Sequence, residues 1–280
     1  MTSAFLFGTV GSPKSTPAKP GGSVGSVQQI AALKLQALEL GWVQSVRVSA
    51  ETCGAIKKTA DELAVAISVH APYFINLNAD AEEWPKSRKR LMDAAYYGFL
   101  AGATDIIFHP GSYFGAPPPT VLAVAIERLA QCSAELRDQG TAVLLRPETM
   151  GKSAMLGSLE DTLAMAQAIT GVIPCIDFAH LHARPGDGSM NSYDEWMRLL
   201  QNYAQVLGPD SLHRLHIHLS GIAYSEKGER NHLPLKESDL DIQNLLKALK
   251  VGGAQGRILC ESPEMEADAL YMQEIWNSLP

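Results

Sequence analysis

Eight apolar runs of strand length recur along the chain, each followed by a longer stretch of helical period, and this alternation restricts the fold more than any other feature of the sequence. The runs are AFLFGT (4–9), ALELGW (37–42), AISVHA (66–71), DIIFHP (105–110), AVLLRPE (142–148), IPCIDF (173–178), RLHIHLS (214–220) and RILCES (257–262). The helical segments lie near 24–36, 51–63, 83–101, 120–138, 158–169, 191–207, 238–250 and 264–277. Two of them open with Ser-x-x-Asp, Ser158 with Asp161 and Ser238 with Asp241, a pattern whose side chains satisfy the free N–H groups of a first turn. Strict β/α alternation predicts a parallel sheet covered by helices, and eight units predict a single (β/α)8 TIM barrel over 1–280, an α/β fold with its active face at the C-terminal ends of the strands. At 46% hydrophobic content, 280 residues suffice to bury such a core.

The last six runs end on side chains that bind metals: His70, His109, Glu148, Asp177, His218 and Glu261, with His180 and His232 in the loops after the sixth and seventh. In a barrel all these ends converge on one face. Taken singly, each has a bland reading, a satisfied core polar group, or for Asp177 a helix cap followed by surface histidines. Six together lack a structural reason, because packing unpaired charges is costly. Three carboxylates and three imidazoles exceed what one catalytic zinc uses, which implies two or three ions, zinc with manganese as the alternative. Two ions about 4 Å apart suit hydrolysis of a phosphodiester by an activated water.

Other features narrow the class. The longest apolar stretch falls short of the ~18–20 residues of a membrane span, and the N-terminus lacks the basic and apolar regions of a signal peptide. A mature cytoplasmic protein, monomeric and without a membrane partner, is expected. Cys53, Cys132, Cys175 and Cys260 are isolated, which favours reduced core thiols over disulfides or a thiolate zinc site. A net charge of −7 argues against a non-specific nucleic-acid binder but leaves room for a local basic groove. No glycine-rich dinucleotide fingerprint or Ser, Cys or Lys nucleophile motif is evident.

The strings SVHAPYFINL, FHPGS, RPETMGK, CIDFAH, HIHLSG, NHLPLKESD and CESP, in that order and spacing, resemble the endonuclease IV family of apurinic/apyrimidinic endonucleases, particularly its archaeal-type branch. The resemblance runs from the third strand to the eighth and is weaker over the first 60 residues. It implies a xylose isomerase-like TIM barrel with three zinc ions that cleaves double-stranded DNA 5′ to an abasic site and also clears blocked 3′ ends. It would give one ion to His70, His109 and Glu148, with Glu148 bridging to a second ion held by Asp177, His218 and Glu261, and a third ion to His180 and His232. Glu148 and Glu261 are then the candidate catalytic residues. The family's acid two residues before the second histidine is replaced here by Arg230, with Glu229 one residue further off. Either Glu229 reaches in through a shifted loop, or the third ion is weakly held, or Arg230 takes its place as a phosphate-binding cation.

By the same resemblance Tyr73 and Phe74 are candidates to wedge into DNA, rim cover being the alternative, and Asn76 matches a loop asparagine. Lys14 and Lys19 in the first loop, and Arg47 and Arg184 after the second and sixth strands, are candidate phosphate contacts. His216 shares the inward face with His218 as a supporting group, His182 is a candidate phosphate support, and His213 sits at the opposite end. The rival is a xylose isomerase-like sugar isomerase or epimerase using Glu148, Asp177, His218 and Glu261 around one or two ions, with Glu148 and Glu261 moving a proton beside a carbonyl. A barrel that binds metal or sugar without catalysis is a third reading.

Overall fold

The computed structural model describes residues 5–280. Its barrel strands are β1 (Phe5–Val10), β2 (Ala37–Gly41), β3 (Ala66–His70), β4 (Ala103–Phe108), β5 (Leu144–Pro147), β6 (Cys175–Asp177), β7 (Leu215–Leu219) and β10 (Gly256–Cys260). All pair in parallel in the order β5-β4-β3-β2-β1-β10-β7-β6. Parallel bridges Leu145–Val172 and Glu148–Cys175 bring the β5 and β6 segments together and complete the TIM barrel. Each predicted strand coincides with one of these; Ala4, the first residue of the first run, lies outside the described residues. Gly8 is where β1 meets β2 most closely, since a Cβ there would stand 1.8 Å from the Ala37 carbonyl oxygen.

Around the sheet pack α1 (Gly22–Ala32), α2 (Ala50–Leu63), α3 (Trp84–Leu100), α4 (Pro118–Asp138), α5 (Leu159–Ala168), α7 (Tyr193–Leu207), α8 (Ile242–Val251) and α9 (Glu266–Ser278). The apolar core lies between their inner faces and the outward side chains of the strands, for example Val69, Ile106, Phe108 and Ile217 against Leu91, Leu129, Trp196 and Leu245. The Ser158–Asp161 capping box is present at α5, and a second, not expected, joins Ser192 and Glu195 at α7. The Ser238–Asp241 box does not form. Asp241 itself caps α8 by accepting from the Asn244 N–H at 3.0 Å. The Ser238 hydroxyl instead accepts from the N–H groups of Ile222 and Leu240, so the helix begins a turn later than predicted.

Two elements lie outside the eight repeats. A short helix α6 (Phe178–Ala183) follows β6 directly, and an antiparallel hairpin of β8 (Gly221–Ser225) and β9 (Gly228–Leu233) follows β7. Both stand on the C-terminal face and carry candidate ligands. Among the described residues no helix is long and apolar enough to cross a membrane, and all four cysteines are free and buried.

The barrel lumen is polar along its length. Strand side chains alternate, so Glu39, Ser68, Asp105, Arg146, His216 and Arg257 fall on the inward face below the rim ligands. At the N-terminal end Arg146 Nε donates to Asp105 at 2.5 Å, its Nη1 and Nη2 donate to the carbonyls of Pro174 and Arg214, and Arg257 stands 3.2 Å from the same aspartate. Burial would raise the Asp105 carboxyl, but the two guanidinium groups outweigh it and hold the group well below the ordinary range.

Candidate metal centre

His70, Glu148, Asp177, His180 and His218 are buried at the C-terminal mouth of the barrel, with His109, Glu229, His232 and Glu261 closing the rim. They fall into adjoining sets: His70, His109 and Glu148; Glu148, Asp177, His218 and Glu261; and Asp177, His180 and His232. Glu148 Oε2 lies 3.3 Å from His70 Nε2 and 3.4 Å from His109 Nε2, and Oε1 lies 3.6 Å from His218 Nδ1. His218 Nδ1 is 3.4 Å from Glu261 Oε1. These separations are long for hydrogen bonds but match donor atoms sharing a tetrahedral ion at ~2.1 Å, which lie roughly 3.4 Å apart. Both Glu148 oxygens, Asp177 Oδ2 and both His218 nitrogens are buried without a well-formed hydrogen bond. Orphaned polar atoms concentrated at one point fit a bound cation, and the donor set of imidazoles and carboxylates fits a divalent one of the zinc type.

Ring tautomers point the same way. His70 Nδ1 is 2.9 Å from the Ala71 carbonyl, His180 Nδ1 is 2.9 Å from the Thr149 carbonyl, and His232 Nδ1 is 3.2 Å from the Glu261 carbonyl. A carbonyl only accepts, so each Nδ1 carries the hydrogen and each Nε2 is the ring atom left to face the cleft. His180 Nε2 and His232 Nε2 then face each other at 3.3 Å with Glu229 Oε2 3.5 Å from the former, an arrangement that needs a proton on one ring or a cation among the three. Against the penalty of burial, His109 and His218 hold Glu148 well below the usual carboxylate range, and Asp177 and Glu148 hold His180 well above the usual imidazole range. Burial, with Glu261 and Glu148 nearby, pushes Asp177 up to about 6. That carboxyl lacks enough positive charge from the protein alone.

The hairpin turns Glu229, and not Arg230, toward the cleft. In a regular strand Glu229 and His232, three apart, would point to opposite faces. Tyr224 pairs with Glu229 and Ala223 with Asn231, so Arg230 is the extra residue of a bulge, and the slip turns Glu229 and His232 to the same side. Arg230 is exposed. Gly151 permits the approach: the Glu229 N–H donates to its carbonyl at 2.8 Å, and a Cβ on Gly151 would stand 2.6 Å from Glu229 Cβ. Glu229→Gln is expected to weaken the ion of lowest affinity by about tenfold to a hundredfold in a zinc competition titration, whereas Arg230→Gln changes it less than about threefold.

A match to the family of xylose isomerase-like TIM barrels extends over residues 27–277. The chain belongs to that family. This xylose isomerase-like barrel is 34% identical over 276 residues to an uncharacterized protein of Methanocaldococcus jannaschii, covering 98% of both chains. It is 33% identical over 161 residues to a probable endonuclease 4 of a Geobacillus species, covering 54% of this chain and 50% of that one, so it matches about half the length of that relative. Among solved structures it resembles endonuclease IV of Thermus thermophilus, with a TM-score of 0.69, 20% identity and coverage of 96% and 98%. A D-tagatose 3-epimerase-like protein gives a TM-score of 0.69, 20% identity and coverage of 91% and 94%. At that identity the likeness concerns the fold alone.

Other predicted residues of the xylose isomerase-like barrel divide by geometry. Asp177 does cap a helix, since Oδ1 accepts from the His180 N–H at 2.7 Å, yet Oδ2 stays free for the cleft and the histidines behind it are buried. Tyr73 stacks on His109 with centroids 5.0 Å apart, while Phe74, 56% exposed, projects from the rim beside Arg90. The Asn76 amide oxygen accepts from Asn78 and Ser112, so it ties two rim loops together. Arg184 is corrected: its guanidinium donates to the carbonyls of Met150, Lys152 and Met155 and braces the loop after β5, leaving it poorly placed as a phosphate contact. Lys14 pairs with Glu264, and Arg47 and Lys19 are exposed in loops of the same face. His182 is likewise withdrawn as a phosphate support, being buried with Nδ1 on the Ser189 carbonyl and Nε2 on Asp239. Sequence reading missed Glu39, buried directly beneath His218. Its signal was an acid inside the apolar run ALELG.

Proposed function

We propose that this protein is a metal-dependent phosphodiesterase that acts on damaged double-stranded DNA, incising 5′ to abasic sites and clearing blocked 3′ ends in the manner of endonuclease IV. The observation that supports it best is the continuity of the donor sets, with Glu148 shared by two of them and Asp177 by two. His70 and His109 on one side, and His180, His232 and Glu229 on the other, have no work in a site that holds a single ion. Zinc ions, or manganese in their place, would supply Lewis acidity and an ionised water at neutral pH.

The chain's own groups supply the rest. Glu148 holds the spacing of the centre because its two oxygens face different donor sets. Glu261, its side chain 10% exposed and within 3.9 Å of His232, lines the cleft with Glu229 and is placed to take up a proton from the attacking water. Tyr73 shields the rings from solvent on one side, and Phe74 is placed to enter the gap left by a missing base. Arg47, Lys19 and Lys14 lie on the same face, where exposed cations would follow the phosphate backbone. The partial likeness to endonuclease 4 proteins supports this substrate class, and a cytoplasmic monomer is the form proposed.

One observation favours a second reading: Glu148, Asp177, His218 and Glu261 by themselves form a compact set beside a cleft of about 320 Å³, the size of a small-molecule pocket. That would suit a sugar epimerase. Metal analysis and a paired assay separate the two. The nuclease reading expects at least two ions per chain and a single cut in a duplex carrying one tetrahydrofuran abasic analogue; one ion per chain, an uncut duplex across zinc and manganese, and turnover of a ketohexose would establish the epimerase instead.

A further inference from the structure

The hairpin that carries Glu229 and His232 lies outside the barrel sheet and consists of two strands. Such a pair is marginally stable by itself, so the contacts that anchor it decide where its side chains stand. At its base the Ile222 N–H donates to the Ser238 hydroxyl at 3.1 Å, and on the side of the β5 loop the Glu229 N–H donates to the Gly151 carbonyl at 2.8 Å. A further anchor is a side chain, Tyr224. Its hydroxyl donates to Asp239 Oδ2 at 2.6 Å, and its ring meets the ring of His182 on α6 edge-on, with centroids 5.0 Å apart. Asn191 holds the Asp239 segment in turn: its side-chain NH₂ donates to the Asp239 carbonyl at 2.8 Å, and its oxygen accepts from the Asp241 N–H at 2.7 Å. The tip of the hairpin rests on the loop after α6, where a Cβ on Gly186 would stand 2.6 Å from the Ser225 carbonyl oxygen and one on Gly188 3.1 Å from the Tyr224 hydroxyl.

We infer that Tyr224 is a positioning residue for the donor set of Asp177, His180 and His232 with Glu229, holding the hairpin at a fixed distance from α6. This rests on the metal centre proposed above, though not on the identity of its substrate. The register supplies the reason. Tyr224 pairs directly with Glu229 across the ladder, beside the bulge that turns Glu229 and His232 to one side. Paired residues of an antiparallel ladder project from the same face, and here both reach α6: Glu229 Oε2 lies 3.5 Å from His180 Nε2, and Tyr224 packs on His182 two residues on. Two links therefore join the same two elements, one made of metal donors and the other of a ring and a hydroxyl. Tyr224 and Asp239 are not among the residues that line the cleft, so loss of the anchor reaches an ion only through the ligands. A donor serves a metal within about 0.2 Å of its ideal distance, so a small shift of Glu229 or His232 is enough to lose one.

Zinc titration into the chelator-stripped full chain, in competition with a chromophoric chelator, tests this, with the ion that Glu229→Gln weakens as the reference. Tyr224→Ala removes ring and hydroxyl and should weaken that ion about 10–100-fold, while every other ion stays within about threefold of wild type. Tyr224→Phe keeps the ring against His182 and should recover part of the loss, leaving that ion about 3–10-fold weaker than in wild type. Selective loss at one ion with rescue by the conservative variant is what a general loosening of the fold would not give. If Tyr224→Ala leaves the reference ion within about threefold, or weakens every ion alike, the positioning role falls and the metal centre stands. If Glu229→Gln weakens no ion, the donor set holds none and the role falls with it; if wild type takes up no zinc, the role and the centre both fall. Should Tyr224→Ala fail to fold, Tyr224→Phe decides: a loss of threefold or more confined to the reference ion supports the role, and a smaller one overturns it.

Discussion

Glu148→Gln should lower incision of abasic duplex by at least about 10³-fold and remove at least one zinc ion per chain, while leaving the circular dichroism of the barrel unchanged. Glutamine is isosteric with glutamate, so the packing of the lumen is preserved. What changes is the charge and one oxygen. Oε2 faces the nitrogens of His70 and His109, and Oε1 faces His218. An amide can offer an oxygen to only one of these sets and turns its NH₂ toward the other, where it meets lone pairs in place of a cation. Several kcal/mol of charge stabilisation in the transition state depend on two ions being held together, and that is the origin of the magnitude. Retained activity with full metal content would remove Glu148 from the centre and leave His70 and His109 unconnected to the other donor sets.

Arg146→Met should destabilise the fold by about 3 kcal/mol in urea unfolding, with no direct contact to the cleft. The side chains of Arg146 and Asp105 are each 4% exposed, so breaking the pair leaves a carboxylate facing a closed lumen. Arg257 remains beside Asp105, which keeps the loss at the lower end for a buried pair. The pH dependence carries the same signature. The folded pKa of Asp105 is depressed, so its contribution is fully present above the unfolded value of ~3.9 and is lost as pH falls below that value toward the folded one. Wild type should therefore lose stability in the acid limb below about pH 4, and Arg146→Met should show a shallower loss there. Replacing Asp105 by leucine alongside Arg146→Met should not restore the stability, because the unpaired buried charge then passes to Arg257. An Arg146→Met unfolding midpoint equal to that of wild type would mean the lumen is wet at this end.

The two predictions concern opposite ends of one polar column, and only the upper end was legible beforehand. His70, His109, Glu148, Asp177, His218 and Glu261 could be read because each terminates an apolar run, and in a parallel barrel the ends of runs share a face. Glu39, Asp105, Arg146 and Arg257 were equally visible as charges inside apolar runs, yet nothing local says whether such a residue points into a lumen or toward a helix. That depends on the phase of each strand in the closed sheet, which neighbouring strands set through register. Glu229 was a different case, one of three alternatives that the sequence left open. Its spacing from His232 was wrong for a regular strand, and the bulge at Arg230 that corrects it exists only because β9 pairs with β8 and packs on Gly151.

Periodicity and the chemistry of strand ends are properties of short stretches, and the sequence alone was sufficient for them: eight β/α units, a parallel barrel and a rim of imidazoles and carboxylates. Local energetics determine such features, because a segment's apolar pattern selects strand or helix whatever surrounds it. The tertiary structure decided the rest: which tautomer each ring adopts, that Arg184 braces a loop, that Glu229 faces the cleft and Arg230 does not, and that Glu39 lies beneath His218. These depend on distances between residues up to 179 positions apart, as between Glu39 and His218, and such distances exist only once the sheet has closed.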